Sequence, residues 1–460
     1  MSESLPPESL VSPTEVTAQV TKGRFKRVLG TPSLVLFGLV YMVPLTVFST
    51  YGIVTELTGG RLVDAYIITL IAMTFTARSY ARMSVAYPYS GSAYVYTQQS
   101  FGGAVGFLAG WTLLLDYLFL PMINYLILSL YLSEWLPAVP PWLWVVISIV
   151  LVMTLNIIGI ISVARANIAI IAFQTAFIVV FVALAFSSAL GNGVDLAAPF
   201  TGDGSVEGVG PLFAGAAILC LSFLGFDSVS TLAEEAKDAT RTIPRAIIIT
   251  TIAAGLVFIL ISYTAQIAYP SNDFESVDTA SIDVVAAVGG QWLSSLFMAG
   301  FIAGALGSAL TSQASVARIL FSMGRDGVLP RRVFGQLNRR FGTPVPAILI
   351  VSAVSLLAMV FDLTTLSSMI SFGALMAFSV VNLAVIKHYF VDRKERSGAA
   401  VISSLVLPLI GFGLTVWLWT SLSGLTFAIG LSWLAGGFVI LLIVTRFFRR
   451  PTPMLDLHEH

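Results

Sequence analysis

Charged residues are scarce in this 460-residue chain: Asp, Glu, Lys and Arg together make up 10% of it, whereas hydrophobic residues make up 57%. Soluble globular proteins carry about 25% charged residues, so this composition excludes a soluble domain and places the chain in lipid. The 24 basic and 24 acidic residues balance. Net charge therefore indicates no nucleic-acid partner.

Cysteine and histidine are also nearly absent. The one cysteine, Cys220, lies in an apolar run and excludes an intramolecular disulfide. The three histidines, His388, His458 and His460, lie at or beyond the ends of apolar segments. They form neither a metal-ligand cluster nor a nucleophile–base pair. We therefore expect no metal, no cofactor and no enzyme active site.

Long apolar segments are abundant instead. A membrane-spanning helix needs about 20 mostly apolar residues, and the sequence contains about twelve such segments joined by short polar connections. The fold class predicted is therefore an all-α polytopic membrane protein. The predicted spans are 33–56, 62–82, 103–131, 142–162, 167–190, 211–235, 245–269, 289–316, 344–361, 364–388, 400–420 and 425–447.

The positions of Lys and Arg predict the orientation, because basic residues in short loops stay in the cytoplasm. In a twelve-span arrangement every basic residue except Arg61 falls on one face. We therefore expect both termini to be cytoplasmic, with segments 1–30 and 449–460 as tails and the first tail disordered. The opposite loops, at 195–207 and 273–283, are acidic, so the outer surface would attract cations.

Two acidic residues lie at mid-membrane depth in the predicted spans: Asp116 and Asp227. A buried charge of this kind costs about 2.5–3.5 kcal/mol on insertion scales, so a chain that keeps two is expected to use them. No Lys, Arg or His lies in the central part of any predicted span, so a ligand, an ion or a proton must supply the counter-charge. The alternative is a protonated carboxyl bonded to a neighbouring helix or, for Asp227, a helix cap.

Two spans are predicted to be interrupted. Pro44, between Gly38 and Gly52, removes a backbone donor from the first span, and Gly225 precedes Asp227 and a polar continuation in the sixth. Interrupted helices in corresponding places of two halves indicate a midplane transport site. We therefore expect two inverted five-helix repeats, at 31–190 and 210–390, followed by two accessory helices at 400–448.

Three stretches resemble the amino acid–polyamine–organocation transporters, whose fold is LeuT-like. They are Phe223–Ala246 in and after the sixth span, Tyr87–Tyr96 before the third and Ala317–Pro330 after the eighth. The resemblance implies a five-plus-five inverted repeat, alternating access, and substrate held between the broken first and sixth helices and the third, eighth and tenth.

Within that superfamily, the stretch Leu115–Asn124 and the pattern Pro44, Thr46, Phe48 and Gly52 resemble the proton-driven putrescine importers. Amino acid carriers usually keep a first-helix break rich in glycine and serine, whose amides receive the substrate carboxylate. Here the corresponding stretch, Met42–Thr46, has no glycine and contains a proline. This difference favours an amine over an amino acid as substrate.

The predicted function is proton-coupled import of a small cationic amine across a bacterial-type inner membrane. Putrescine is the leading candidate for that amine. Asp227 would hold one ammonium group and Asp116 the other, and either acid could serve proton coupling. Glu235 would help to close the cytoplasmic side as a gate. The other substrate-binding residues predicted are Tyr41, Met42, Pro44, Thr46, Trp111, Tyr117, Phe223, Phe226 and Ser312. For any one of these rings, ordinary packing is the alternative role.

Two other functions remain open at the level of sequence. The first is an importer of a cationic amino acid or of another mono- or polyamine. The second is an amine sensor built on a transport fold, although the polar tails are too short for an effector domain. Ion pairs with Lys237 and Arg241 are the alternative role for Glu234 and Glu235.

Overall fold

A computed structural model describes residues 27, 29–89, 92–158, 163–191, 193, 195–325, 329–338 and 341–449. The predicted tails therefore lie almost entirely outside the described residues. Eleven described helical segments are long and apolar enough to cross a membrane, which confirms an all-α polytopic membrane protein. They are Thr31–Ser49, Leu62–Ala86, Gly103–Trp135, Pro141–Ile158, Ala169–Gly191, Gly210–Ala233, Ala239–Ala268, Val277–Phe321, Leu363–Asp392, Gly398–Thr420 and Gly424–Val444.

We number these segments in chain order as the first to eighth and tenth to twelfth spans. The ninth position belongs to a shorter apolar helix, Val345–Met359. At 1.5 Å per residue it is about 22 Å long, shorter than the roughly 30 Å hydrocarbon core. It is short because Pro344 and Pro346 lie at its start, and because Asp362 soon caps the next helix by accepting a hydrogen bond from Thr365 N. The eleven long spans are thus one fewer than predicted.

The eighth span also differs from its predicted bounds of 289–316. Helical structure runs from Ala280 to Arg325 and is interrupted at Gly290, whose φ of 69° and ψ of −168° are not helical. Glycine adopts positive φ without a steric penalty. The predicted start therefore coincides with a kink inside a longer element.

The first span is broken where the sequence predicts. An α-helix, Thr31–Met42, ends at Val43, which has a φ of +50°. A 3-10 helix, Pro44–Ser49, and a short α-helix, Tyr51–Leu57, then continue the chain. A positive φ is uncommon for a β-branched residue. The break is therefore a built-in feature of this span.

The sixth span is broken as well. The α-helix Gly210–Leu219 passes into a 3-10 turn, Cys220–Phe223, and helical structure resumes as the 3-10 helix Ser228–Glu235. Gly225, with a φ of +133°, lies in the gap. A Cβ atom on Gly225 would lie 3.0 Å from Tyr41 Cδ1 and 3.0 Å from Met42 Cγ. The two breaks therefore touch each other, and any side chain larger than that of glycine would be strained at their contact.

Gly225→Ala is expected to lower the free energy of unfolding by about 1–3 kcal/mol, because alanine at this φ is strained and its methyl group would press on the first span. Thermal unfolding of the detergent-solubilised protein measures the change. Gly436→Ala is the matched control: Gly436 lies inside the helix Gly424–Val444, and a Cβ atom there meets nothing within 4 Å. An equally stable Gly225→Ala variant would contradict the close contact.

A buried amide joins the spans behind the breaks. Gln313, on the eighth span, accepts hydrogen bonds from Tyr125 Oη (2.9 Å) and Asn156 Nδ2 (3.3 Å). Its Nε2 donates to Ser352 Oγ at 2.6 Å. These partners belong to the third and fourth spans and to the short ninth helix. The network ties the eighth span to its neighbours.

The boundaries of the two predicted repeats stay a prediction.

Candidate functional site

Asp116 lies in the middle of the third-span helix, Gly103–Trp135, and is only 4% exposed. Its Oδ1 atom has no hydrogen-bond partner among the described residues. The tenth span approaches closely, since a Cβ atom on Gly373 would lie 3.0 Å from Asp116 N. The acid is therefore held at a tight helix contact with part of its carboxyl group unsatisfied.

Asp227 lies in the break of the sixth span and is 3% exposed. Its Oδ1 accepts a hydrogen bond from Gly225 N at 3.2 Å. Asp227 occupies the cap position of the helix Ser228–Glu235, but its side chain makes no capping hydrogen bond to that helix. The structure thus argues against helix capping as the role of Asp227, because its carboxyl group turns back toward Gly225 in the break.

The two carboxyl groups lie close enough to interact electrostatically with each other and with Tyr41 and Tyr117. Tyr80 of the second span interacts with both acids as well. In the described part of the chain, the salt bridges are Arg61–Asp64, Arg82–Glu395, Arg241–Asp238 and Lys387–Asp392. Neither buried acid has a basic partner there, so the cluster of two acids and three tyrosines can accept a cation.

A cavity lies beside this cluster, between the first, third, sixth and eighth spans. Tyr41 lines the cavity and also interacts with both acids, so it is shared by the cavity and the cluster. The lining residues are Tyr41, Met42, Val43, Thr46, Ser49, Leu120, Ile123, Asn124, Ile127, Leu221, Leu224, Phe301, Ala305 and Ser308. Asp116 and Asp227 are not among them. The cavity therefore adjoins the cluster through Tyr41 but does not contain the acids.

Three of the predicted first-span residues are explained by the break. Thr46 Oγ1 donates a hydrogen bond to Met42 O at 2.8 Å, and both residues line the cavity. Pro44 begins the 3-10 helix and does not line the cavity. On the eighth span, Ser312 Oγ donates to Ser308 O at 2.7 Å. Ser308, one turn away, lines the cavity in its place.

The predicted aromatic residues separate into two groups. Tyr117 joins the acids, and Phe226 packs against Tyr80 at 5.5 Å between ring centroids, beside them. Phe223 instead packs against Phe258 of the seventh span at 5.3 Å. Phe223 therefore packs on the seventh span in this structure.

Trp111 faces an accessory helix. Its ring stacks on Trp433 of the twelfth span at 5.0 Å, and each indole Nε1 donates to the other residue's backbone oxygen at 2.9 Å. A Cβ atom on Gly437 would lie 2.2 Å from the Trp111 ring. Trp111 thus fastens the twelfth span to the third, and the structure does not bring it to the cavity.

Glu235 lies at the end of the broken sixth span, where the backbone is tied to the start of the first. Leu29 N donates to Glu235 O, and Lys237 N donates to Leu29 O, both at 3.0 Å. The side chain of Glu234 is outside the described set. Arg241, expected as a partner of these acids, pairs with Asp238 at 3.7 Å. The gating role of Glu235 stays a prediction.

The cavity contains residues that sequence reasoning did not select, above all Asn124, Ser308 and Phe301. Asn124 Nδ2 donates to Ser308 Oγ at 3.0 Å, which joins the third and eighth spans at the cavity wall. A polar residue two turns after Asp116 on the same helix was a signal for Asn124.

The described residues contain no group of three His, Cys, Asp or Glu that could hold a metal ion.

Comparison with known proteins gives a consistent family. Residues 33–456 match the model of the amino acid permease family. The chain is 38% identical over 449 residues to the low-affinity putrescine importer PlaP of Escherichia coli (strain K12), covering 96% of this chain and 98% of that protein. It is 25% identical to the branched-chain amino acid permease BcaP of Bacillus subtilis (strain 168), covering 92% and 93% of the two chains.

A plant protein shows the same relationship at greater distance. Cationic amino acid transporter 7, chloroplastic, of Arabidopsis thaliana is 26% identical over 394 residues, which cover 81% of this chain and 67% of that protein. The names of all three relatives describe transport proteins. The family match covers nearly the whole chain, including both broken spans and the buried acids. This chain is a multi-pass membrane protein of the amino acid permease family, within the amino acid–polyamine–organocation superfamily.

Proposed function

We propose that this protein imports a small diamine by proton-coupled alternating access, and that putrescine is the leading candidate for that diamine. The observation that carries the proposal is the pair of buried acids, Asp116 and Asp227, which interact with each other and have no basic partner in the described structure. A cation with two charged ends satisfies both. The putrescine importer that is 38% identical over nearly the full chain supports the same substrate.

The surroundings of the acids suit alkylammonium groups. Tyr41 and Tyr117 interact electrostatically with both acids, and a ring face attracts a cation by about 0.5–2 kcal/mol, depending on desolvation. The apolar side chains of Ile123, Ile127 and Leu224 line the adjacent cavity. They provide a wall for the methylene chain of a diamine on its way to the acids.

The geometry of the first-span break argues against an amino acid. Pro44 has no N–H group, Thr46 N donates to Val43 O at 2.8 Å, and Val43 N donates to Val40 O at 3.3 Å. These amides are therefore used within the break or absent. A substrate carboxylate would meet no donor from them and would face two buried acids. An amine without a carboxylate avoids both penalties.

Proton coupling requires a carboxyl group that changes its protonation between the two access states. Asp116 and Asp227 are the residues we propose for this role, and we propose that Glu235 helps to close the cytoplasmic side. We propose a bacterial-type inner membrane as the location, with both termini in the cytoplasm, because the predicted loops that carry Lys and Arg alternate with the spans. Putrescine import would then run toward the basic face.

Uptake of labelled putrescine into proteoliposomes tests the proposal. We expect accumulation with an inwardly directed proton gradient and none with a sodium gradient alone. Binding without uptake under either gradient would favour a sensor and overturn the transport proposal.

The competing substrate class is a cationic amino acid, as the name of the Arabidopsis relative describes for that protein. Unlabelled putrescine should compete with labelled putrescine, whereas lysine and arginine at the same concentration should leave uptake nearly unchanged. Stronger competition by lysine or arginine than by putrescine would assign the protein to the cationic amino acid class.

A further inference from the structure

A short helix between the second and third spans carries an unusual set of buried polar atoms. This inner helix, Ser92–Phe101, packs against the third span, the tenth span and the 3-10 helix Ser228–Glu235 of the broken sixth span. Eighteen buried side-chain polar atoms in the described structure lack a hydrogen-bond partner, and five of them belong to this helix. Those five are Ser92 Oγ, Tyr96 Oη, Thr97 Oγ1, Gln98 Oε1 and Ser100 Oγ.

Such a concentration needs a physical reason. An unpaired buried hydroxyl group destabilises a fold, and native structures contain few of them. Tyr96, Thr97 and Ser100 are 0%, 0% and 8% exposed, and their spacing places them on one side of the helix. An apolar face of the same shape would pack without this penalty. The polar face is therefore suited to a conformation in which it meets water or a ligand.

A line of residues connects this face to the buried acids. Tyr80 of the second span packs on Phe226, the residue before Asp227, with ring centroids 5.5 Å apart. The rings of Tyr80 and Tyr96, which belongs to the inner helix, meet edge to face with centroids 5.8 Å apart. The Tyr96 hydroxyl also approaches Ser230, just after the break, without a hydrogen bond of normal geometry. A cation that leaves Asp227 toward the inner helix would next meet these tyrosines.

We propose that Tyr96, Thr97 and Ser100 form a second, transient binding site for a primary alkylammonium group, reached after it leaves Asp227, and that the present structure is closed at this site. Three hydroxyl oxygens can replace the water around an ammonium group, and the tyrosine rings offer cation–π faces. The nearby acid would repel an anion. This inference rests on the proposed import function and adds the place of release.

Cysteine labelling tests the site directly. In a Cys220→Ala background, which removes the one native thiol, Thr97→Cys would be exposed to thiosulfonate reagents in inside-out membrane vesicles during putrescine turnover. We expect the 2-aminoethyl reagent, itself a primary ammonium, to react several-fold faster than the 2-sulfonatoethyl reagent. The matched control is Thr415→Cys, because Thr415 is equally buried but lies on the eleventh span with its hydroxyl group bonded. Equal labelling at both positions would overturn the proposal.

A second measurement separates transport from packing. Thr97→Val keeps the shape and removes the hydroxyl group. We expect the uptake rate to fall several-fold, with the putrescine Kd unchanged, and Thr97→Ser to restore the rate. If the hydroxyl group has only a structural role, Thr97→Val will transport at the parent rate, and the proposal fails. Parent protein that takes up no putrescine in proteoliposomes under an inwardly directed proton gradient would instead refute the proposed function itself.

Discussion

Asp227→Asn is expected to reduce putrescine uptake by about 10- to 100-fold. A hydrogen bond to a charged group contributes about 1.5–3 kcal/mol, and 1.4 kcal/mol corresponds to a factor of ten. Asparagine fits the same space but carries no charge, and its amide can present donors to the substrate ammonium group. Initial uptake rates in proteoliposomes, normalised to the amount of reconstituted protein, measure the effect.

Two controls accompany this experiment. Asp273→Asn makes the same substitution at an exposed position of an opposite loop, and uptake should remain near the parent rate. Thermal unfolding of Asp227→Asn should show no large destabilisation, since the change also removes a buried acid that has no basic partner in the described structure. Asp227→Asn transporting putrescine as fast as the parent would show that this acid does not hold the substrate.

Asp116→Asn is expected to change the substrate preference. If Asp116 holds the second ammonium group, removal of its charge should weaken putrescine by about 10- to 100-fold on the same arithmetic. A monoamine of the same length, 1-aminobutane, needs only Asp227 and should be nearly unaffected. Competition of each amine against labelled putrescine, in the parent and in the variant, measures the preference.

The stability of this variant provides its control. Asp116 Oδ1 is unpartnered in the described structure, so neutralising the side chain should leave the unfolding temperature unchanged or raise it. Loss of uptake with unchanged stability then reports on substrate binding. Equal weakening of putrescine and 1-aminobutane would contradict the assignment of one ammonium group to each acid.

The breaks could be predicted because their causes are local. Pro44 cannot donate a backbone hydrogen bond, and Gly225 permits a φ of +133° that other residues avoid. The buried acids were equally visible, because a charge in an apolar run stands out at any position. These features depend on single residues and their immediate neighbours, so the sequence is sufficient to find them.

The rest of the site depends on which way each helix faces. Trp111 and Tyr117 lie on the same span, yet Trp111 meets Trp433 more than 300 positions later and Tyr117 meets the acids. Nothing near Trp111 in the chain encodes that partner. Asn124 and Ser308 likewise form one cavity wall only after the third and eighth spans have packed.

The inner helix shows a different limit of sequence reasoning. The sequence shows Tyr87–Tyr96 as a motif, but it does not show that the hydroxyl groups of Thr97 and Ser100, which follow it, are buried. A polar ten-residue segment between two spans is typical of an exposed connection. Contacts with the third and tenth spans bury it instead, and that burial is what gives its unpaired oxygens a functional meaning.

Binding of putrescine and 1-aminobutane to the parent, Asp116→Asn and Asp227→Asn tests the two-acid account most directly. Isothermal titration of the purified proteins provides all six dissociation constants. The account predicts that the parent binds putrescine about 10- to 100-fold more tightly than 1-aminobutane, and that this preference disappears in either variant. A preference for putrescine that persists undiminished in both variants would contradict it.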